Sequence, residues 1–145
     1  MKWAALIAWL ITAGGGFVLL SIWLARGGMQ QAQETANRIR PPLILSHFLL
    51  AAGGLVVWII FLISDNDALA WIAFATLAIV AVLGFTMFAI WLRRRQAGTR
   101  GGAEVATPGA PAEQHFPVSV VGLHGLLAVT TVALVLLTAL DVGGS

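Results

Sequence analysis

Four apolar stretches, roughly residues 3–25, 42–64, 68–92 and 117–140, take up most of this 145-residue chain. A bilayer crossing takes about 20 apolar residues, so each stretch is long enough to span. Apolar residues make up 59% of the sequence and charged ones 10%. A soluble domain of this size could not bury that much apolar surface. The pattern predicts an all-α membrane protein: four transmembrane helices in a single integral domain over residues 1–145, a bacterial-type inner-membrane protein with no water-soluble domain. The first stretch, about 23 residues, exceeds the 7–15 of a signal-peptide core and ends in Trp23-Leu24-Ala25-Arg26, so it is read as a retained span.

The chain also repeats itself. Residues 3–26 align without a gap on 71–94, pairing Trp3 with Trp71, Ile11 with Ile79, Gly16-Phe17 with Gly84-Phe85, Ile22-Trp23-Leu24 with Ile90-Trp91-Leu92 and Arg26 with Arg94. The second halves echo more weakly, His47-Phe48-Leu49-Leu50-Ala51 against His124-Gly125-Leu126-Leu127-Ala128. Repeat 1, about 3–64, and repeat 2, about 71–140, are therefore each a helical hairpin. Two such parallel repeats are related by a pseudo-twofold axis along the membrane normal and close naturally into a four-helix bundle.

Charge sets the expected orientation. Arg26, Arg38 and Arg40 lie between spans 1 and 2, and Arg93, Arg94, Arg95 and Arg100 between spans 3 and 4. The turn between spans 2 and 3 holds Asp65, Asn66 and Asp67 with no basic residue. The positive-inside rule places both basic loops in the cytoplasm and both termini outside, with Lys2 the dissenting charge. The basic residues border spans, so the high pI does not indicate nucleic-acid binding. Residues 27–41 read as polar and partly helical, and residues 96–114, rich in Gly, Ala and Pro, as a flexible linker. Trp3, Trp23, Trp71 and Trp91 read as interfacial anchors, with Trp9 and Trp58 deeper. The Gly and Ala clusters at Gly14–Gly16, Ala51–Gly54, Ala81 and Gly84 read as close-packing surfaces or as room for a flat cofactor.

With no cysteine, disulfides, thiolate nucleophiles and sulfur-ligated metals are excluded. No phosphate-binding, zinc-protease, hydrolase-elbow or dinucleotide motif occurs. The acids, Glu34, Asp65, Asp67, Glu104, Glu113 and Asp141, fall in loops or at span ends, which argues against an ion-coupled carrier.

The candidate site is His47 with His124. Both lie roughly 8–10 Å inside the basic boundary at 1.5 Å per residue, on parallel spans related by the repeat. Two facing imidazoles are what a bis-histidine haem b needs for its axial positions, with His47 and His124 as iron ligands. Arg40, Arg93 and Arg94 are candidate partners for haem propionates. A neutral histidine at that depth can instead bond a neighbouring helix, with Ser46 or Thr130 as partners, or relay protons. His115 reads as a surface residue. A zinc site would need Glu113, His115, His47 and His124 to converge from very different depths. The His pair and helix count resemble small four-helix membrane cytochromes b. That resemblance implies electron transfer within a larger membrane complex, with other subunits or a second copy as partners. A cofactor-free structural or assembly subunit is the alternative, and a small transporter or channel lined by Thr12, Thr76, Thr86, Thr130 and Thr131 is the third reading.

Overall fold

The computed structural model describes residues 1–31, 39–100 and 111–141. It contains α1 (Lys2–Ala25), a single turn α2 (Gly28–Gln31), α3 (Pro41–Ser64), α4 (Asp67–Arg100), a 3₁₀ turn (Ala112–His115) and α5 (Val118–Ala139). Helices α1, α3, α4 and α5 are each long and apolar enough to cross a membrane. Most of their surface is left outside the bundle, and large side chains such as Ile63, Leu126 and Val82 point outward. Such a surface is stable against lipid, where helices satisfy all their backbone hydrogen bonds internally. The protein is an all-α, four-helix, multi-pass membrane protein in contact with the bilayer.

Local signals set the helix ends. Pro41 and Pro42 open α3, where missing N–H groups cost nothing. α1 ends at Arg26, and Gly27 follows at φ +74°, the left-handed backbone that a glycine adopts without strain. α3 turns into α4 through Asp65 (φ 48°) and Asn66, whose Oδ1 accepts from the Ala68 N–H at 3.1 Å. Lys2, the charge that runs against the loop bias, pairs with Asp65 at 2.6 Å. The N-terminus and the acidic turn therefore share one end of the bundle.

Helix pairing crosses the repeats. α3 packs extensively on α4 and α1 on α5, while the within-repeat contacts of α4 with α5 and α1 with α3 are lighter. The cyclic order is α1–α5–α4–α3, with α3 and α5 on one diagonal. At the acidic end the core is Ala5, Trp9, Trp58, Phe61, Ala70, Ala73, Leu77, Val80 and Val135. Trp58 and Val135, both fully enclosed, occupy equivalent positions of the two repeats, so the duplicated core is filled unequally. Gly54 lets α3 approach: a Cβ there would stand 3.2 Å from the Trp9 ring and 3.3 Å from Thr76 Cγ2.

The basic end differs from the sequence-based expectation in three ways. α4 runs on past the expected end near residue 92 to Arg100, because Arg, Gln and Ala favour helix once a helix is under way. The last part of the expected linker is an ordered 3₁₀ turn packed against α1, α2 and α4, while residues 101–110 lie outside the described residues. Trp23 and Trp91 are 1% and 5% exposed, so they plug the bundle's end instead of facing the lipid interface. Trp3 and Trp71, by contrast, are exposed at the acidic end as interfacial anchors should be. The loop expected to be partly helical is so at Gly28–Gln31, and residues 32–38 lie outside the described residues.

Candidate functional site: a histidine pair on the bundle diagonal

His47 and His124 are each the seventh residue of their helices, α3 and α5. Their ring centroids are 6.4 Å apart with an interplanar angle of 63°. The repeat thus brings its two histidines together between the diagonal helices at one depth.

Each imidazole is held by a helix of the other repeat. His47 Nδ1 donates to the Val80 carbonyl at 3.0 Å, and His124 Nδ1 donates to the Thr12 carbonyl at 2.9 Å. Thr12 and Val80 are themselves equivalent in the aligned repeats. A carbonyl can only accept, so the proton sits on Nδ1, and in the neutral ring Nε2 keeps its lone pair. The hydroxyls of Ser46 and Thr130, expected partners of a structural histidine, do not take this role. The reason is access, which the glycines provide. Gly16 and Gly84 stand four residues beyond Thr12 and Val80, where a side chain would shield the accepting carbonyl. A Cβ on either would meet the facing imidazole Cε1 at 3.2 Å. The duplicated glycine is therefore the complement of the duplicated histidine.

The layer around the pair is the least enclosed part of the bundle. Between the Thr12/Val80 level and the Trp23/Trp91 level, residues 13–22, 41–53, 81–90 and 118–130 include no buried side chain. Tightly packed layers lie on both sides: the apolar core at the acidic end, and the Trp23, Trp91, Ile39, Ala112 plug at the basic end. Beside His124 a groove of about 490 Å³ opens between α1 and α5, lined by Ile11, Gly14, Gly15, Leu123 and His124 among others. Repeat 2 carries Val82 and Leu83 where repeat 1 has Gly14 and Gly15.

The flanking residues divide. Arg40 is exposed at the start of α3, seven residues or about 10 Å along the chain from His47. Arg93 is exposed, and Arg94 is half-buried with Nε 4.0 Å from Glu113 Oε1. Glu113 and His115 sit in the 3₁₀ turn, in the plug and away from the pair, and among the described residues no group of three or more His, Asp or Glu could hold a metal ion. His115, expected at the surface, is half-buried with its Nδ1 enclosed and unpartnered, because the turn is folded under the helix ends. The threonines considered as a channel lining bond their own helices: Thr76 to Ile72 O, Thr86 to Val82 O, Thr130 to Leu126 O. Thr12 and Thr131 bond each other at 3.1 Å across α1 and α5. Burial of Glu113 was not legible in the sequence, where it stands in a Gly/Ala/Pro-rich segment that reads as linker.

No family model matches the chain, and neither does any curated protein or solved structure with which it was compared.

Proposed function

We propose that this protein is a small membrane b-type cytochrome, with His47 and His124 as the axial ligands of one haem b, serving electron transfer within a larger complex of a bacterial-type inner membrane. The observation that carries the reading is the facing pair, each ring fixed through Nδ1 and each leaving Nε2 for a metal. An Nδ1–H···O=C bond is the usual partner of a metal-bound histidine, since it fixes the tautomer and orients the ring. With ring centroids 6.4 Å apart, His47 and His124 are near enough to hold one metal group between them. Two imidazoles with no further protein donor suit a metal that brings its own equatorial ligands. What favours a flat macrocycle here is that no side chain of this layer is fully buried and that a groove reaches His124 from the outer face of the bundle. A bound haem would supply one-electron redox chemistry. The chain's own residues hold the imidazoles, exclude water through the Trp23/Trp91 plug, and offer Arg40, Arg93 and Arg94 toward propionates at the basic end.

The cofactor-free structural or assembly subunit remains the second reading, because the same two Nδ1 bonds tie each repeat to the other and would serve as interhelical fasteners. Visible spectra of the detergent-purified protein, oxidised and reduced with dithionite, separate the two. A Soret band with sharp reduced α and β bands, lost in His47→Ala/His124→Ala, is the expected result. A featureless spectrum from haem-replete cells refutes the cytochrome and leaves the structural role.

A further inference from the structure

Among the described residues the spans bury two hydroxyls, and the two face each other. Thr131 is 1% exposed and Thr12 9%, and their Oγ1 atoms are 3.1 Å apart across α1 and α5. Each also reaches a carbonyl of its own helix, Thr12 that of Ala8 at 2.7 Å and Thr131 that of Leu127 at 2.8 Å. Two protons thus serve three contacts. If both hydroxyls turned to their own helices, two oxygens would meet with no proton between them and no water in the bilayer core to fill in. One hydroxyl therefore donates across the interface and the other to its own helix. Thr12 is also the residue whose carbonyl accepts from His124 Nδ1 at 2.9 Å. His124 and Thr131 are seven residues apart on α5, two turns and nearly one face. They grip Thr12 from its two ends, because its carbonyl points along α1 toward the basic end and its side chain leans toward the acidic end. A slide of α1 along α5 in either direction stretches one of the two bonds.

The other histidine lacks the second grip. In the aligned repeats Val80 stands in the place of Thr12, and Gly54, seven residues after His47, in the place of Thr131. Val80 has no hydroxyl and Gly54 no side chain, and a Cβ on Gly54 would already stand 3.2 Å from the Trp9 ring. His47 is left with its 3.0 Å bond to the Val80 carbonyl. We propose that Thr131 is a positioning residue for His124. Through Thr12 it fixes the acceptor of His124 Nδ1, so the two imidazoles are held unequally, His124 by a two-point clamp and His47 by one bond. As support for an axial ligand this role rests on the haem reading; as a hold on the ring it does not. The partner of a metal-bound histidine sets the orientation of the ring and tunes the metal, so a shift of the Thr12 carbonyl reaches the ligand even though Thr131 touches neither ring nor metal.

The test is a double-mutant cycle on the full-length protein in micelles: Thr131→Val, Thr12→Val and the two together. Thr12→Val keeps the main-chain carbonyl and removes only the hydroxyl, so the cycle isolates the contact between the two side chains. Thr131→Ser restores the hydroxyl. Thr130→Val is the control, since the Thr130 hydroxyl bonds its own helix at Leu126 O. Two readouts are taken. In the ferric haem-loaded protein, electron paramagnetic resonance reads the orientation of the axial imidazoles. In the haem-free protein with labelled histidine, nuclear magnetic resonance reads the exchange of each Nδ1 proton. Each single variant should shift the resonance and quicken exchange at His124 about threefold, which is about 0.6 kcal/mol, the average of an interhelical bond in a membrane. Exchange at His47 should stay as it is, the double variant should add nothing further, and Thr131→Ser should behave as wild type. Variants that leave both readouts unchanged, or an equal change in Thr130→Val, overturn this inference and leave the haem reading standing. If no Soret band forms, the haem reading falls, and the exchange rates alone decide whether Thr131 holds His124.

Discussion

Replacing Gly84 with Ala tests whether the glycines serve the histidines. The new methyl would stand 3.2 Å from His47 Cε1 and 3.7 Å from Nδ1. Ordinary carbon contacts begin near 3.5 Å, so the ring must retreat by a few tenths of an ångström. Its bond to the Val80 carbonyl, now 3.0 Å, then stretches past the usual range. Losing a neutral hydrogen bond costs about 1 kcal/mol in general, and interhelical bonds in membranes average about 0.6 kcal/mol. Against this, Ala in place of Gly gains about 0.5–1 kcal/mol of helix stability. The controls are Gly14→Ala and Gly53→Ala, whose added methyls meet nothing within 4 Å and which keep the whole propensity gain. Gly84→Ala should therefore be about 1 kcal/mol less stable than Gly53→Ala in reversible denaturant titration of the micelle-bound protein. Gly16→Ala, whose methyl would meet His124 Cε1 at the same 3.2 Å, should behave alike. A haem-loaded protein should also show altered axial-ligand signals in both variants. If Gly84→Ala is as stable as Gly53→Ala and leaves the histidine signals unchanged, the proposed complementarity is wrong.

Trp58→Ala empties the centre of the acidic-end core, where Trp58 is fully enclosed between Trp9 and Phe61. It should cost about 3–5 kcal/mol in the same titration. Thr131→Val removes the 3.1 Å bond to Thr12 and should cost about 0.6 kcal/mol. A loss as large as that of Trp58→Ala would show that the threonine pair does more than fasten α1 to α5. Lys2→Ala breaks an exposed ion pair with Asp65 and should change stability by less than about 1 kcal/mol, an effect that high salt erases. Gly28→Ala would drive a methyl into the Trp23 ring. The Gly28–Gln31 turn must lift off, and trypsin cleavage after Arg26 should quicken several-fold. Unchanged cleavage would mean the plug does not depend on this contact.

The sequence by itself determined the class, the span count and the equivalence of His47 with His124. Apolar length has one outlet in lipid, and the gapless repeat of Gly16-Phe17 at Gly84-Phe85 requires the halves to fold alike. Periodicity could not tell which helices would touch, because spans apolar on every side carry no stripe that marks an inward face. Tertiary structure decided that pairing, α1 with α5 and α3 with α4 across the repeats. It thereby gave each imidazole a carbonyl in place of a hydroxyl, and it explained the recurrence of glycine four residues beyond each accepting carbonyl. It also turned Trp23 and Trp91 from expected lipid anchors into a plug and enclosed Glu113 beneath it. Such burial depends on which chain segments fold over one another, and the composition of a Gly/Ala/Pro-rich segment holds no record of that.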